Sequence, residues 1–143
     1  VQLFDSWVGA LGPADYREFV LPHQKNVIAG IKKTVPLIHF AHGATHLLEM
    51  VAEAGGDVIG LDWRCNLDEA WKRVGYDKAV QGNIDPISLF GSKEFIRKRT
   101  KEILDRAGGR NGHIMNLGHG ILQQTPLENA AEFINATHEM SRR

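Results

Sequence analysis

The feature of this 143-residue chain that most restricts its fold is a regular alternation of short apolar runs with amphipathic stretches. Runs rich in β-branched or aromatic residues occur at 1–4, 35–40, 58–61, 79–81 and 113–117. Between them, apolar residues at helical spacing predict helices over 13–20, 22–33, 42–54, 93–107 and 126–140. Parallel strands need long crossover connections, commonly helices, whereas tight turns join antiparallel strands. The alternation therefore predicts an α/β fold with a parallel sheet.

Composition limits the classes of function. A hydrophobic content of 43% suits a domain with a substantial core. The 17 basic residues balance the 17 acidic ones, so no net charge favours nucleic acid or an anionic membrane. The single cysteine, Cys65, cannot form an internal disulfide, and no apolar stretch approaches the length of a membrane span. We expect a cytoplasmic protein without a signal peptide and without nucleic-acid or membrane partners.

Polar side chains stand at or just beyond the carboxyl end of each predicted strand. They are Asp5, Ser6, His39, Asp62, Asn83, Asp85, Asn116 and His119. In a (β/α)₈ barrel these ends surround one mouth, which would place the polar groups around a single pocket. The alternative is an open doubly wound sheet, but no G-x-G-x-x-G pattern follows the first strand. A whole barrel takes eight strands and roughly 250 residues, so residues 1–143 are predicted to be one partial domain, the later part of a barrel.

The segment after the last predicted strand, residues 116–120, places His119 between Gly118 and Gly120. Glycines allow a tight turn and the close approach of a ligand, and histidine titrates near neutral pH. A functional His119 and a turn histidine hydrogen-bonded to the backbone are about equally expected from these residues. Asn116 is expected to brace its own turn rather than to touch a ligand.

Other candidate residues point less clearly to a site. His39, His42 and His46 suggest zinc, with the last two on one predicted helix, but the glutamate of a metalloprotease motif is absent. Solvent-exposed or capping roles are the stronger expectation for these histidines. Cys65 follows an arginine that could lower its pKa, yet nothing assigns it a role. Asp85 precedes a proline and predicts a helix N-cap.

Four segments of the chain resemble consecutive signatures of the uroporphyrinogen decarboxylase family. They are residues 2–7 (QLFDSW), 60–63 (GLDW), 81–86 (QGNIDP) and 116–121 (NLGHGI). The resemblance extends over essentially the whole chain. It implies a (β/α)₈ barrel, to which this chain contributes about strands four to eight. It also implies a homodimeric enzyme of porphyrin and haem biosynthesis, a carboxy-lyase that removes carbon dioxide from the four acetate side chains of uroporphyrinogen without a metal or an organic cofactor.

The resemblance also implies roles for three residues. Ser6 matches a substrate-binding hydroxyl after the fourth strand, and His119 matches a histidine that contacts a substrate carboxylate after the eighth. Phe4 lies two residues before Ser6, on the same side of its strand, and resembles an apolar wall of the pocket. The family's principal catalytic carboxylate and arginines lie in the amino-terminal part, so no catalytic residue is expected here. Without the resemblance, Ser6 would be read as a cap and Phe4 as core.

Two alternatives from other classes remain. A cobalamin-dependent zinc methyltransferase of the same superfamily would need a His-x-Cys pair after the fifth strand and a cysteine after the eighth. Here His39-Phe40-Ala41 and His119 occupy those places, without the thiolates that would bind the metal. A non-catalytic fragment is the second alternative, because a barrel without its first strands has an unpaired edge. In the decarboxylase interpretation, we expect this chain to be inactive by itself.

Overall fold

The computed structural model of the protein describes residues 1–32 and 34–142, and these residues build a parallel sheet of five strands. The strands are β1 (Gln2–Asp5), β2 (Ile38–Ala41), β3 (Val58–Gly60), β4 (Ala79–Gln81) and β5 (His113–Ile114). They lie in chain order, and each pairs in parallel with the next. The predicted parallel α/β architecture is therefore confirmed.

Three strands are shorter than predicted. β2 begins at Ile38 rather than at residue 35, because Pro36 has no N–H to donate to a neighbouring strand. β3 ends at Gly60 rather than at Leu61. β5 ends at Ile114 rather than at residue 117. Parallel pairing beyond it continues only as a single bridge between Ile84 and Leu117, so the chain leaves the sheet early and forms the turn that carries His119.

Helices connect the strands. They are α1 (Pro13–Asp15), α2 (Leu21–Gly30), α3 (Leu48–Ala54), α4 (Leu67–Val74), α5 (Lys93–Ala107) and α6 (Leu127–Met140). A π-helical turn (Tyr16–Val20) joins α1 to α2, and 3₁₀ turns occupy Val8–Ala10, Thr45–Leu47 and Pro86–Phe90. From α2 onward each helix packs against the next. Within the described ranges, no helix has both the length and the apolar character that crossing a bilayer requires.

The helix predictions hold for the later part of the chain and need correction earlier. α5 begins after Ser92, whose hydroxyl accepts the Phe95 N–H at 3.2 Å, as its capping position predicts. The predicted restart at Pro22 is found, with this proline in the first turn of α2. The predicted helix over 42–54 is α-helical only from Leu48, and α4 was not predicted. The predicted helix over 22–33 ends already at Gly30, and its expected last residue, Lys33, lies outside the described residues.

The hydrophobic core lies between the helices and one face of the sheet. Ile59 of β3 and Val80 of β4 are fully buried there, together with Val51 of α3 and Trp71 of α4. Side chains of a strand alternate between its two faces, so the neighbouring positions lie on the opposite face. Phe4 of β1 is on that face and is 65% exposed. The part of this face around Phe4 is therefore open to a ligand or to further protein.

Candidate functional site

An open cleft of about 480 Å³ lies on the same face of the sheet as Phe4, at the carboxyl ends of the strands. Its lining comes from β1, β2, β4 and the segment after β5, through Gln2, Phe4, Ser6, Phe40, Gln81, Asn116, Leu117, His119, Gly120 and Ile121. The fold thus brings Phe4 and Ser6, near one end of the chain, together with His119 near the other. Phe4, Ser6 and His119, the three residues to which the family resemblance gives roles, therefore all line this one cleft.

The apolar wall of the cleft is built from two phenylalanines on adjacent strands. Phe4 and Phe40 are partners in the β1–β2 register, and their rings meet edge to face with centroids 6.0 Å apart. Gly60 follows in the next strand, where a Cβ would come within 2.7 Å of the Phe40 ring. The glycine therefore makes room for the Phe40 side chain. On the same face, Gln81 donates to the Gln2 side-chain carbonyl at 3.3 Å.

Ser6 is exposed at the mouth of the cleft. Among the residues that the structure describes, its hydroxyl has no hydrogen-bond partner. The capping role that could have explained Ser6 belongs to Asp5, which accepts the Val8 N–H at 3.2 Å. Asp5 also accepts the Gln24 side chain at 2.6 Å, and Gln24 accepts the Tyr16 hydroxyl. The Ser6 hydroxyl is therefore not engaged in a cap and lies at the mouth of the cleft.

His119 is exposed and packs in a cluster of rings. Its centroid lies 4.6 Å from that of His42, 6.2 Å from that of Trp63 and 6.4 Å from that of Phe40. Neither of its ring nitrogens bonds to any residue in the described part of the chain. A backbone-bonded turn histidine is therefore not what the structure shows. Both nitrogens are free to meet a ligand in the cleft.

The turn that carries His119 is held by backbone contacts. Gly118 donates to the Ile84 carbonyl at 2.7 Å, and the Asn116 side chain accepts the N–H of Leu117 at 2.9 Å. Asn116 therefore braces its own turn as predicted, although it also borders the cleft. The expected reason for the glycines is corrected. Neither Gly118 nor Gly120 has a positive φ angle, so the turn conformation does not require glycine at either position. Gly118 is required instead because its backbone closely approaches the turn after β3.

A group of four side chains, which we call the rim cluster, surrounds the mouth: His42, Trp63, Arg64 and His119. The Arg64 Nη1 donates to His42 Nε2 at 2.9 Å, and its guanidinium carbon lies 4.1 Å from the centroid of the Trp63 ring. Asp62 lies below, with its side chain 2% exposed, and meets Arg64 Nη1 at 3.3 Å. The cluster therefore joins the segments after β2, β3 and β5.

The sequence missed the roles of His42 and Arg64 in this cluster. His42 was placed on a helix, but it lies in the turn after β2, ahead of the 3₁₀ turn Thr45–Leu47. Both residues follow closely on predicted strands, so their position was a signal that they could face the mouth. What the sequence could not show is that the two segments meet.

Five of the polar residues expected around the pocket do not line it. Asp5, His39, Asp62, Asn83 and Asp85 turn toward the protein interior or cap local backbone. Asn83 donates to the carbonyls of Asp62 and Cys65, both at 2.8 Å, and Asp85 accepts the Ile87 N–H at 3.0 Å as the predicted N-cap. The prediction assumed that any polar residue near a strand end lines the pocket. The alternation of side chains along a strand, however, decides which face of the sheet each residue occupies.

The candidate metal ligands do not come together. His39 is fully buried, and burial lowers its pKa. His46 bonds the Leu11 carbonyl at 2.8 Å, and His42 bonds Arg64. In residues 1–32 and 34–142 there is no group of three His, Cys, Asp or Glu side chains placed to hold a metal ion. Burial, with help from the Asp62 carboxylate, raises the pKa of the Cys65 thiol to about 11, opposite to the expected effect of Arg64.

Comparisons with known proteins agree on the nature of the chain. A family model described as uroporphyrinogen decarboxylase matches residues 1–140. The uroporphyrinogen decarboxylase of Carboxydothermus hydrogenoformans is 60% identical over 142 residues, which cover 99% of this chain and 41% of that protein. The corresponding protein of Sorangium cellulosum is 50% identical over 143 residues, with the same two coverages. The chain thus spans about two fifths of the length of these relatives.

A solved structure supports the architecture. A methyltransferase from Methanosarcina mazei superimposes with a TM-score of 0.84, over 99% of this chain and 42% of that one. The two sequences are 19% identical, so the likeness concerns the fold alone. It shows that the parallel sheet and its helices occur as part of a larger protein.

Proposed function

The chain belongs to the uroporphyrinogen decarboxylase family, and we propose that it forms the carboxyl-terminal part of an enzyme that decarboxylates uroporphyrinogen. In this proposal the complete carboxy-lyase converts the four acetate side chains to methyl groups and yields coproporphyrinogen in haem biosynthesis. The observation that carries the proposal is the cleft, in which Phe4, Ser6 and His119 meet at the carboxyl ends of parallel strands. Enzymes with parallel barrels bind their substrates at this end.

We also propose that β1 to β5 are about the fourth to the eighth strands of a (β/α)₈ barrel, which makes residues 1–143 a partial domain. Within the described residues, β1 and β5 each pair with one strand only. Three further strands between them would close the sheet and remove both edges. The longer relatives have room for such strands, because the chain covers 41% of their length.

The chemistry assigns this chain a binding role. Loss of carbon dioxide from an acetate leaves a carbanion, and protonation of the adjoining pyrrole supplies an electron sink within the substrate. The proposal therefore calls for no metal or organic cofactor. Phe4 would pack against the macrocycle, Ser6 would hydrogen-bond it, and a protonated His119 would bind one of its carboxylates. The groups that stabilise the developing charge on the ring are proposed to lie outside this chain.

The proposal extends to the whole protein as a cytoplasmic homodimer, as the family resemblance implies. Size determination of the complete protein by light scattering would test the dimer. For the chain by itself we propose no activity, because the catalytic carboxylate and arginines are expected elsewhere. Formation of coproporphyrinogen by the isolated chain above the uncatalysed rate would contradict this point.

A direct test is to join this chain to the amino-terminal part of its Carboxydothermus hydrogenoformans relative, in place of the matching residues. We call this protein the completed enzyme. At 60% identity the contacts between the two parts should largely be retained. We expect it to form coproporphyrinogen, measured by chromatography of the oxidised porphyrins. A completed enzyme that folds but neither binds nor converts uroporphyrinogen would refute the proposal, and stoichiometric zinc in it would favour the methyltransferase alternative.

A further inference from the structure

We propose that Arg64 binds a second carboxylate of the substrate, beside the one assigned to His119. This inference rests on the proposed function, because it concerns how the same cleft would grip a polycarboxylate macrocycle. Arg64 lies in the rim cluster but outside the lining of the cleft itself. It would therefore meet a side chain that extends over the rim, while His119 meets one within the cleft.

The guanidinium of Arg64 is fixed in place before any ligand arrives. Its Nη1 donates to His42 Nε2 at 2.9 Å and to the Asp62 carboxylate at 3.3 Å. Its carbon lies 4.1 Å from the centroid of the Trp63 ring, in a cation–π contact. A free arginine side chain would lose rotamer entropy on being ordered. Here part of that loss occurs on folding, which makes binding less costly.

One edge of the guanidinium remains open. An arginine has five N–H donors, and the side-chain bonds of Arg64 use Nη1 alone. Its Nε and Nη2 have no partner among the residues that the structure describes. These two nitrogens form one of the forks that bind a carboxylate through two parallel hydrogen bonds. The side chain is 47% exposed, so a ligand can reach it.

The buried carboxylate of Asp62 does not block an anion from reaching Arg64. Asp62 accepts the backbone N–H groups of Gly43 at 2.6 Å and Arg64 at 2.8 Å, besides meeting Arg64 Nη1. Its side chain is 2% exposed, against 47% for Arg64. An anion arriving from solvent therefore meets the guanidinium rather than the carboxylate. Asp62 works as a brace that holds the Arg64 segment to the turn after β2.

His42 contacts both proposed carboxylate-binding residues, Arg64 and His119. A guanidinium can only donate, so His42 must accept through Nε2 and is neutral in this arrangement, with its proton on Nδ1. The His42 and His119 ring centroids are 4.6 Å apart. Arg64 and His119 thus both contact the His42 ring, which places two candidate carboxylate-binding groups beside one imidazole. Uroporphyrinogen carries an acetate and a propionate on adjacent carbons of each pyrrole, so neighbouring carboxylates are available to fill both.

The test compares Arg64→Met with wild type in the completed enzyme. Binding of uroporphyrin, the unreactive oxidised form, is measured by fluorescence quenching, and KM and kcat are measured with uroporphyrinogen. Loss of a charge-assisted contact should raise both the dissociation constant and KM about tenfold, with kcat changed less than about twofold. Arg73→Met is the matched control, because Arg73 pairs with Glu49 on the helix side at 2.6 and 2.7 Å. It should leave both constants unchanged.

A purely structural role for Arg64 predicts a different result. If Arg64 only braces the turns, Arg64→Met and Arg64→Lys should both lower kcat and the melting temperature together with affinity. That outcome would overturn the proposal. A change in KM below about twofold for Arg64→Met would overturn it as well. If Arg64→Met does not fold, Arg64→Lys decides, because it keeps the charge and loses the fork. It should raise KM about threefold, and an unchanged KM would refute the proposal. Failure of the wild-type completed enzyme to form product would instead count against the proposed function, since uroporphyrin binding still reports on Arg64.

Discussion

Replacing Gly118 by alanine should separate the two turns that form the mouth of the cleft. A Cβ on this residue would clash with the Trp63 backbone nitrogen and lie 3.0 Å from the Asp62 carbonyl carbon and 3.1 Å from the Trp63 Cα. All three are backbone atoms of one segment, so no side chain can rotate away. Overpacking of this kind costs about 1–3 kcal/mol. A Gly→Ala change recovers about 0.4–1 kcal/mol from the unfolded state, so we expect a net loss of up to about 2.5 kcal/mol.

Gly120→Ala is the matched control, because a Cβ there would meet nothing within 4 Å. We expect it to be more stable than wild type by about 0.4–1 kcal/mol, because the gain from the unfolded state applies there without a clash. Both variants would be measured by urea unfolding in the completed enzyme. Gly118→Ala should also raise KM, since the displaced turn carries His119 and such displacements can cost up to about a hundredfold. Equal stability of the two variants would refute the reasoning, because the contact with Trp63 would then exert no constraint.

Three further predictions concern titratable or reactive groups. Burial lowers the pKa of His39, so the unfolded state takes up a proton on this residue first as the pH falls below about 6.5, and the free energy of unfolding should decrease there. Urea unfolding at pH 7.5 and 5.5 should show a smaller decrease for His39→Leu than for wild type. An equal decrease would contradict this reasoning. The Cys65 thiol, with its pKa raised to about 11, should react with iodoacetamide at pH 8 at least tenfold more slowly than in urea, as followed by mass spectrometry. His119→Asn should weaken uroporphyrin binding about tenfold in quenching titrations, and unchanged affinity would exclude the carboxylate role.

The sequence contained enough information for the architecture. Alternating strand and helix patterns predicted a parallel sheet, and all five strands are found. Local chemistry also worked where one residue determines an end, as with the Ser92 and Asp85 caps. The predicted helix was wrong at a segment whose conformation is set by tertiary contacts. The segment around His42 has helical spacing, but it forms an irregular turn because Asp62 accepts the Gly43 N–H and holds the backbone there.

The site was predictable only in part. Strand alternation and the family resemblance selected Phe4, Ser6 and His119, and the structure places all three in one cleft. The contact between Arg64 and His42 joins residues 22 positions apart, on two turns whose separation depends on how adjacent strands are staggered. No periodicity in the sequence encodes that distance. The clue available was that each residue follows a strand, and the same clue misplaced Asp5 and Asn83.

The geometry of the rim depends on a small number of contacts between backbone segments. Asp62 fastens the turn after β2 through Gly43 and its own segment through the Arg64 N–H, while Gly118 allows the turn after β5 to press against the same segment. None of these groups needs a ligand to adopt its position. A surface fixed in this way would require little reorganisation on binding a ligand, which favours affinity. The rim is thus organised by contacts internal to this chain, which agrees with the proposal that this part supplies binding residues while the catalytic groups lie elsewhere.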